Sequence, residues 1–329
     1  MLVLSCHVAL LKACISLQDI EKGSQIHADI ARNKSLQEDL YVGTALLDMY
    51  ANCGCLAEAE DILNKFPSRN IFSWAALMGG YSKHKLDLKV INCFQKLCSD
   101  GIVPNVATSI CSLKACGSVG SSCIEKAQQI HDEIMSRDFL QKDIVIGNAL
   151  VDMYAKCGSL VRAQEVFDML PERNVITWGA LITAYSQLGR AENTLSIFNE
   201  MIKQGNKPDR VVFLSILNAC SHAGMIDNGQ TYFEAMSRDY DIVPTIEHYI
   251  CMVDTLGRLG QLDKAVGMVS RMPFFPDLAT WGIILCACKH SGNVHLGKEA
   301  FQHAIHLNEN DPAAYVLISQ IYADTEADV

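Results

Sequence analysis

The residues of this 329-residue chain best suited to covalent or metal chemistry are its fourteen cysteines and ten histidines. A zinc site that activates water against a nucleobase needs a His-x-Glu, whose glutamate moves protons, and a Cys-x-x-Cys that completes the metal shell. His131-Asp132-Glu133 spells the first half, but no Cys-x-x-Cys occurs anywhere in the chain. Cys53-Gly54-Cys55 and Cys286-Ala287-Cys288 are too tightly spaced for a zinc knuckle and read as a core residue beside a helix end. His84, His290 and His303 have no acid or cysteine at the spacing of a nucleophile triad. No glycine-rich loop ends in Gly-Lys-Ser or Gly-Lys-Thr. The reading is a chain with no catalytic residue, no metal site and no cofactor.

The elements that carry these residues repeat. Phe72-Ser73-Trp74-Ala75-Ala76-Leu77 returns 104 residues later as Ile176-Thr177-Trp178-Gly179-Ala180-Leu181. Gly43 to Ala51 returns as Gly147 to Ala155, and Leu113-Lys114-Ala115-Cys116 as Leu217-Asn218-Ala219-Cys220, after the same 104. A fixed long period means one structural unit copied along the chain, hence an all-α solenoid of helical hairpins rather than a single core. His131 falls where His27 falls in its own copy, so it reads as part of an ordinary second helix. Cys14, Cys116, Cys220 and Cys288 share one repeat position, as do Cys53 and Cys157, which marks them as small, reduced core hydrophobes.

The long period divides into units of three lengths at 4–39, 40–70, 71–105, 106–143, 144–174, 175–209, 210–245 and 246–277. In 144–174, Leu150, Met153, Tyr154 and Cys157 make one helical stripe. Gly158 ends that helix; Leu160, Ala163, Val166, Phe167 and Leu170 form the next stripe, and Pro171 stops it. Unit 40–70 repeats the pattern, with Gly54 and Pro67 as its stops. Gly79-Gly80 reads as a helix end used for packing, and the tryptophans as fillers between hairpins rather than base-stacking platforms. Neither helix of a hairpin buries its stripe alone. Stacking implies one continuous superhelix whose concave face is lined by first helices.

Half the residues are hydrophobic, which argues against disorder, and no apolar run reaches the roughly 18 residues of a membrane span. The formal net charge of −10 counts against nucleic-acid binding but leaves room for a narrow basic strip. Met1-Leu2-Val3-Leu4 lacks a basic region, so no signal or transit peptide is read and the native beginning is expected to be missing.

These units resemble the pentatricopeptide repeat (PPR). Gly101-Ile102-Val103-Pro104-Asn105 and Gly205-Asn206-Lys207-Pro208-Asp209 close 35-residue units in its P-type style. The alternation of lengths is similar to the PLS subclass of land plants. Its short units carry text like Val151 to Gly158 and close like Met169 to Asn174. Its long units carry text like Leu11 to Cys14, with Gln25-Ile26-His27 and Gln129-Ile130-His131. Ala219 to Gly224 and Glu247-His248-Tyr249 resemble the last long and short pair. Residues 278–311 resemble a first E-type extension, and 312–329, opening with Ala314-Tyr315-Val316-Leu317, a truncated second one.

The resemblance implies a function: sequence-specific binding of single-stranded organellar RNA in a mitochondrion or chloroplast, directed to cytidine-to-uridine editing. A DYW-type deaminase would be supplied by another chain through the E-type segment. It implies no membrane and no small-molecule substrate. The alternatives are a tetratricopeptide-like protein-binding scaffold or an inactive fragment of a longer factor. In the family, the fifth and last residues of a unit read the base edge, and an apolar second residue sandwiches the base. Carried over, Thr44 and Asn70 read adenine, while Asn148 and Asn174 read a pyrimidine, cytosine favoured. Tyr41, Phe72, Val145 and Ile176 take the sandwiching place. The P-type units depart from the pattern, with Ala75 and Gly179 at the fifth place, leaving only Asn105 and Asp209 as hydrogen-bonders. The long units place Val8, Ile110 and Leu214 there and are assigned no base.

Overall fold

A computed structural model describes residues 2–37, 39–66, 69–136 and 143–327. The stop expected at Pro67, the 137–142 link of the third long-period unit, and the chain's first and last residues lie outside them. Among the described residues there are helices and no strand. The contacts divide the chain into two compact units, Met1–Glu172 and Arg173–Val329.

In the first unit, α1 (Leu2–Leu17), α4 (Leu40–Asn52), α6 (Ile71–Lys83), α8 (Val106–Val119) and α10 (Ile144–Lys156) pack each on the next. Each is followed by a second helix that packs beside it: α2 (Ile20–Arg32), α5 (Leu56–Lys65), α7 (Asp87–Ser99), α9 (Ile124–Met135) and α11 (Leu160–Met169). A short α3 (Lys34–Gln37) follows α2, and a 3-10 turn (Gly120–Cys123) precedes α9. The second unit repeats the scheme. Its first helices are α12 (Val175–Gln187), α14 (Arg210–Ala223), α16 (Ile246–Arg258), α18 (Leu278–Ser291) and α20 (Pro312–Ala327). Its second helices are α13 (Ala191–Lys203), α15 (Ile226–Arg238), α17 (Leu262–Ser270) and α19 (Val294–Leu307).

The stripes read from the sequence are the buried faces. Leu150, Met153 and Tyr154 of α10 and Ala163, Val166 and Phe167 of α11 are all less than 5% exposed. Gly54 and Gly158 take φ of 86° and 77° just past α4 and α10, a conformation that costs glycine little and side-chain-bearing residues much. Leu170 is extended (φ −71°, ψ 128°), as the residue before a proline must be, and so ends α11 ahead of Pro171. Trp74 and Trp178 are 3% and 2% exposed, as packing residues are, whereas Trp281 is half-buried and stacks on His303 with ring centroids 4.2 Å apart.

The Gly79-Gly80 pair is not a helix end: α6 runs on to Lys83. A Cβ on Gly80 would sit 2.5 Å from the Ala51 Cβ, so this glycine permits a close approach of α6 to α4. The cysteines that share a repeat position are free thiols, and Cys14, Cys116, Cys157, Cys220 and Cys288 are buried. Among the described residues no three His, Cys, Asp or Glu side chains are arranged to hold a metal, and no helix is long and apolar enough to cross a membrane.

Candidate nucleic-acid interface

The last residue of each sequence unit does local work first: it caps the helix that follows. Asn70 Oδ1 accepts the Ser73 N–H at 2.9 Å, and Asn105 Oδ1 accepts the Thr108 N–H at 2.9 Å. Asn174 Oδ1 accepts from Ile176 and Thr177, both at 3.0 Å, and Asp209 Oδ1 from Val212 at 2.9 Å. The Ser73, Thr108 and Thr177 side chains reach back to the cap backbone and close capping boxes. The signal was present in the sequence as Asn followed three residues later by Ser or Thr.

Capping has a chemical consequence. An asparagine whose carbonyl oxygen caps the helix end still has its amide hydrogens to donate elsewhere, whereas a capping aspartate has only acceptor oxygens to offer. Among the described residues, none of the bonds to the Asn70 side chain uses Nδ2. Thr44 is also half-committed, since its hydroxyl donates to Leu40 O at 2.8 Å. What remains at that pair is one acceptor, Thr44 Oγ1, and one donor, Asn70 Nδ2.

These two residues line one groove. A cavity of about 590 Å³ lies between α1, α4 and α6, and its walls include Thr44, Asn70, Tyr41 and Phe72. Tyr41, Thr44 and Asp48 share one face of α4 at spacings of three and four, and Phe72 and Ala76 share a face of α6. Tyr41 is 82% and Phe72 66% exposed. Aromatic side chains left this open at helix starts contribute little to the core, yet they offer faces to a planar ligand.

The groove also holds residues that the repeat arithmetic passed over. Lys12 and Asp48 line it, and burial pushes the Asp48 carboxyl above its ordinary value while Lys12 opposes that shift. The next groove, about 500 Å³ between α1 and α4, has Val8 where Thr44 stands in the first, and Asp39 where Asn70 stands.

The second predicted pair is divided between the two compact units. Asn148 lies in the first, on α10, where it is only 8% exposed; Asn174 lies in the second, at the start of α12. Val145 and Ile176 are 51% and 60% exposed on first turns, as Tyr41 and Phe72 are. Val211, at 59%, has the same character on α14 and was not singled out, although it too is the second residue of its unit. His131, 9% exposed, lies in the second helix α9 with its Nδ1 2.9 Å from the Tyr154 hydroxyl.

Comparison with known proteins gives one consistent result. Models of the PPR repeat match residues 44–71, 72–102, 148–175, 211–240 and 247–274, and a model of the PPR repeat family matches 173–222. The chain is 37% identical over 322 residues to the chloroplastic pentatricopeptide repeat-containing protein CRR2 of Arabidopsis thaliana, covering 96% of this chain and 48% of that protein. It is 35% identical to a mitochondrial pentatricopeptide repeat-containing protein of the same plant, covering 96% of this chain and 56% of that one. The chain thus spans about half the length of these relatives. Its fold is that of maize PPR10, solved with an 18-nt psaJ RNA element: TM-score 0.74 at 15% identity, over 93% of this chain and 45% of that one.

Proposed function

The chain belongs to the pentatricopeptide repeat family, and from that premise we propose that it is a sequence-specific binder of single-stranded RNA. The observation that carries this reading is the groove between α1, α4 and α6. There an acceptor at Thr44 and a donor at Asn70 meet two exposed aromatic faces, Tyr41 and Phe72. An adenine presents the complementary edge, with an N6–H donor beside the N1 acceptor. Stacking on open aromatic side chains is worth about 1–3 kcal/mol per base. By the same logic, Asn105 offers a donor and Asp209 an acceptor, each to its own base.

At finer grain, we assign the repeats to the PLS subclass with the unit boundaries given above and residues 278–311 to an E-type extension. The chain acts as an adaptor in organellar cytidine-to-uridine editing, with a deaminase supplied by a partner. Mitochondrial and chloroplastic relatives support an organellar site, and the RNA bound by PPR10 supports the ligand class.

Selection from a randomised RNA pool tests the groove. Wild type should enrich adenine at one position, and Asn70→Asp should change that position alone to guanine, because the pair then presents two acceptors, which guanine N1–H and N2–H satisfy. The cap survives the change, since Asp39, Asp143, Asp209 and Asp277 cap other helices of this chain. The swap should cost adenine RNA about 1–3 kcal/mol. An equal loss for every RNA, or an unchanged profile, would sink the assignment.

A further inference from the structure

The groove that holds Thr44 and Asn70 also holds a carboxylate. Asp48 stands one turn beyond Thr44 on the same face of α4, about 6 Å along its axis, and lines the same cavity. An acid beside the path of a polyanion opposes binding unless a donor meets it.

Elsewhere in the chain this residue is neutralised. The three short units carry it at one place, as Asp48, Asp152 and Asp254. In the later two, a cation one turn on occupies the carboxylate. Lys156 Nζ lies 2.8 Å from Asp152 Oδ2. Arg258 Nε lies 2.9 Å from Asp254 Oδ2, which also accepts from the Ser221 hydroxyl at 2.8 Å. In the first unit Asn52 stands where those cations stand. Its Nδ2 donates to Asp48 Oδ1 at 2.8 Å and leaves Oδ2 without a donor among the described residues. Lys12 lines the groove too, but no ion pair among the described residues joins it to Asp48. Burial pushes the Asp48 carboxyl up, and Lys12, Asn52 and Lys83 only partly offset that.

The open oxygen can only accept, so what it lacks is a donor. A phosphate brings none. The adenine edge spends its N6–H on Thr44 and its N1 on Asn70. On the sugar of the same nucleotide, the donor that remains is the ribose 2′-hydroxyl.

We propose that Asp48 accepts a hydrogen bond from the 2′-hydroxyl of the nucleotide whose base Thr44 and Asn70 read, so that this groove selects RNA over DNA. Sugar recognition of this kind rests on the base reading proposed above and adds to it at one position. The carboxylate takes up the hydrogen that deoxyribose lacks. At Asp152 and Asp254 the cation already fills that role, so the later short units carry no such selection.

The test is the affinity, by fluorescence anisotropy, of the RNA selected by the wild-type chain and of two strands altered at one sugar. The altered nucleotide is the adenosine that Asn70→Asp turns to guanosine, replaced by its 2′-deoxy or its 2′-fluoro form. Both lack the donor, and the fluoro form keeps the sugar pucker of RNA. Wild type should lose about tenfold with each, the worth of one hydrogen bond to a charged group. Asp48→Asn keeps an acceptor for Asn52 and turns the open oxygen into a donor. Asn52→Lys copies the later units and occupies the carboxylate. Both variants should keep the melting temperature and the adenine preference, while the penalty falls below about twofold. A penalty that persists in both variants, no penalty in wild type, or variants that change the preferred base instead would overturn the sugar contact. With Asn70→Asp still swapping the base, those results leave the base reading standing; an unaltered base in Asn70→Asp sinks both.

Discussion

Two histidines, His131 buried and His27 half-buried, show how single residues set the pH range of this fold. His27 Nδ1 lies 3.0 Å from the Tyr50 hydroxyl, and His131 Nδ1 lies 2.9 Å from the Tyr154 hydroxyl, 104 residues on. Burial pushes the Tyr154 phenol up to about 12, so at neutral pH it stays protonated and donates to the histidine. Nδ1 is then the acceptor and Nε2 carries the proton. Burial also lowers the pKa of both histidines, and of His248 in the second unit, because the charged ring is poorly solvated. Each is thus protonated more readily unfolded than folded. Their contribution is complete above the unfolded value near 6.5 and is lost as pH falls from there through the lowered folded values. Thermal melts between pH 8 and pH 5 should show the midpoint falling below pH 6.5, and His131→Gln should flatten that fall while lowering the midpoint at pH 8. A fall of the same size in the variant would remove His131 from the explanation.

At the scale of a helix, the adjacent glycines of α6 separate packing from propensity. A Cβ on Gly79 meets nothing within 4 Å, whereas one on Gly80 meets Ala51 at 2.5 Å. Gly79→Ala should stabilise the protein by about 0.5–1 kcal/mol, the helical advantage of alanine over glycine. Gly80→Ala should destabilise it by about 1–3 kcal/mol, because two backbones must separate to admit one methyl group. Urea denaturation of the two variants checks both signs; equal effects would mean that α4 and α6 are not held this closely. The pair also marks how far the sequence was legible. Its place beside a packing contact could be read, but not that the helix continues through it, because the closing partner is Ala51 in another helix. Hairpin helices were legible because each stripe is local and repeats every three or four residues. The cap residues Asn70, Asn105 and Asn174 carried their own signal in the Ser or Thr three residues on.

For the chain as a whole, the charge balance sets a limit that RNA binding must overcome. A formal charge of −10 repels a polyanion, so attraction must come from a few cations placed beside the bases. Lys12 is such a cation: it is exposed and lines the groove that holds Thr44 and Asn70. For single strands, the logarithm of affinity falls with the logarithm of salt by about 0.7 for each phosphate neutralised. Fluorescence anisotropy across a potassium chloride series, with the RNA found by selection, should give a shallow slope that counts only these few contacts. Lys12→Gln should make it shallower by about 0.7 without changing which base is preferred at the groove, because Lys12 would meet the backbone and Thr44 and Asn70 the base. A slope untouched by the change would place the phosphate path elsewhere. A changed base preference would make Lys12 a reader in its own right.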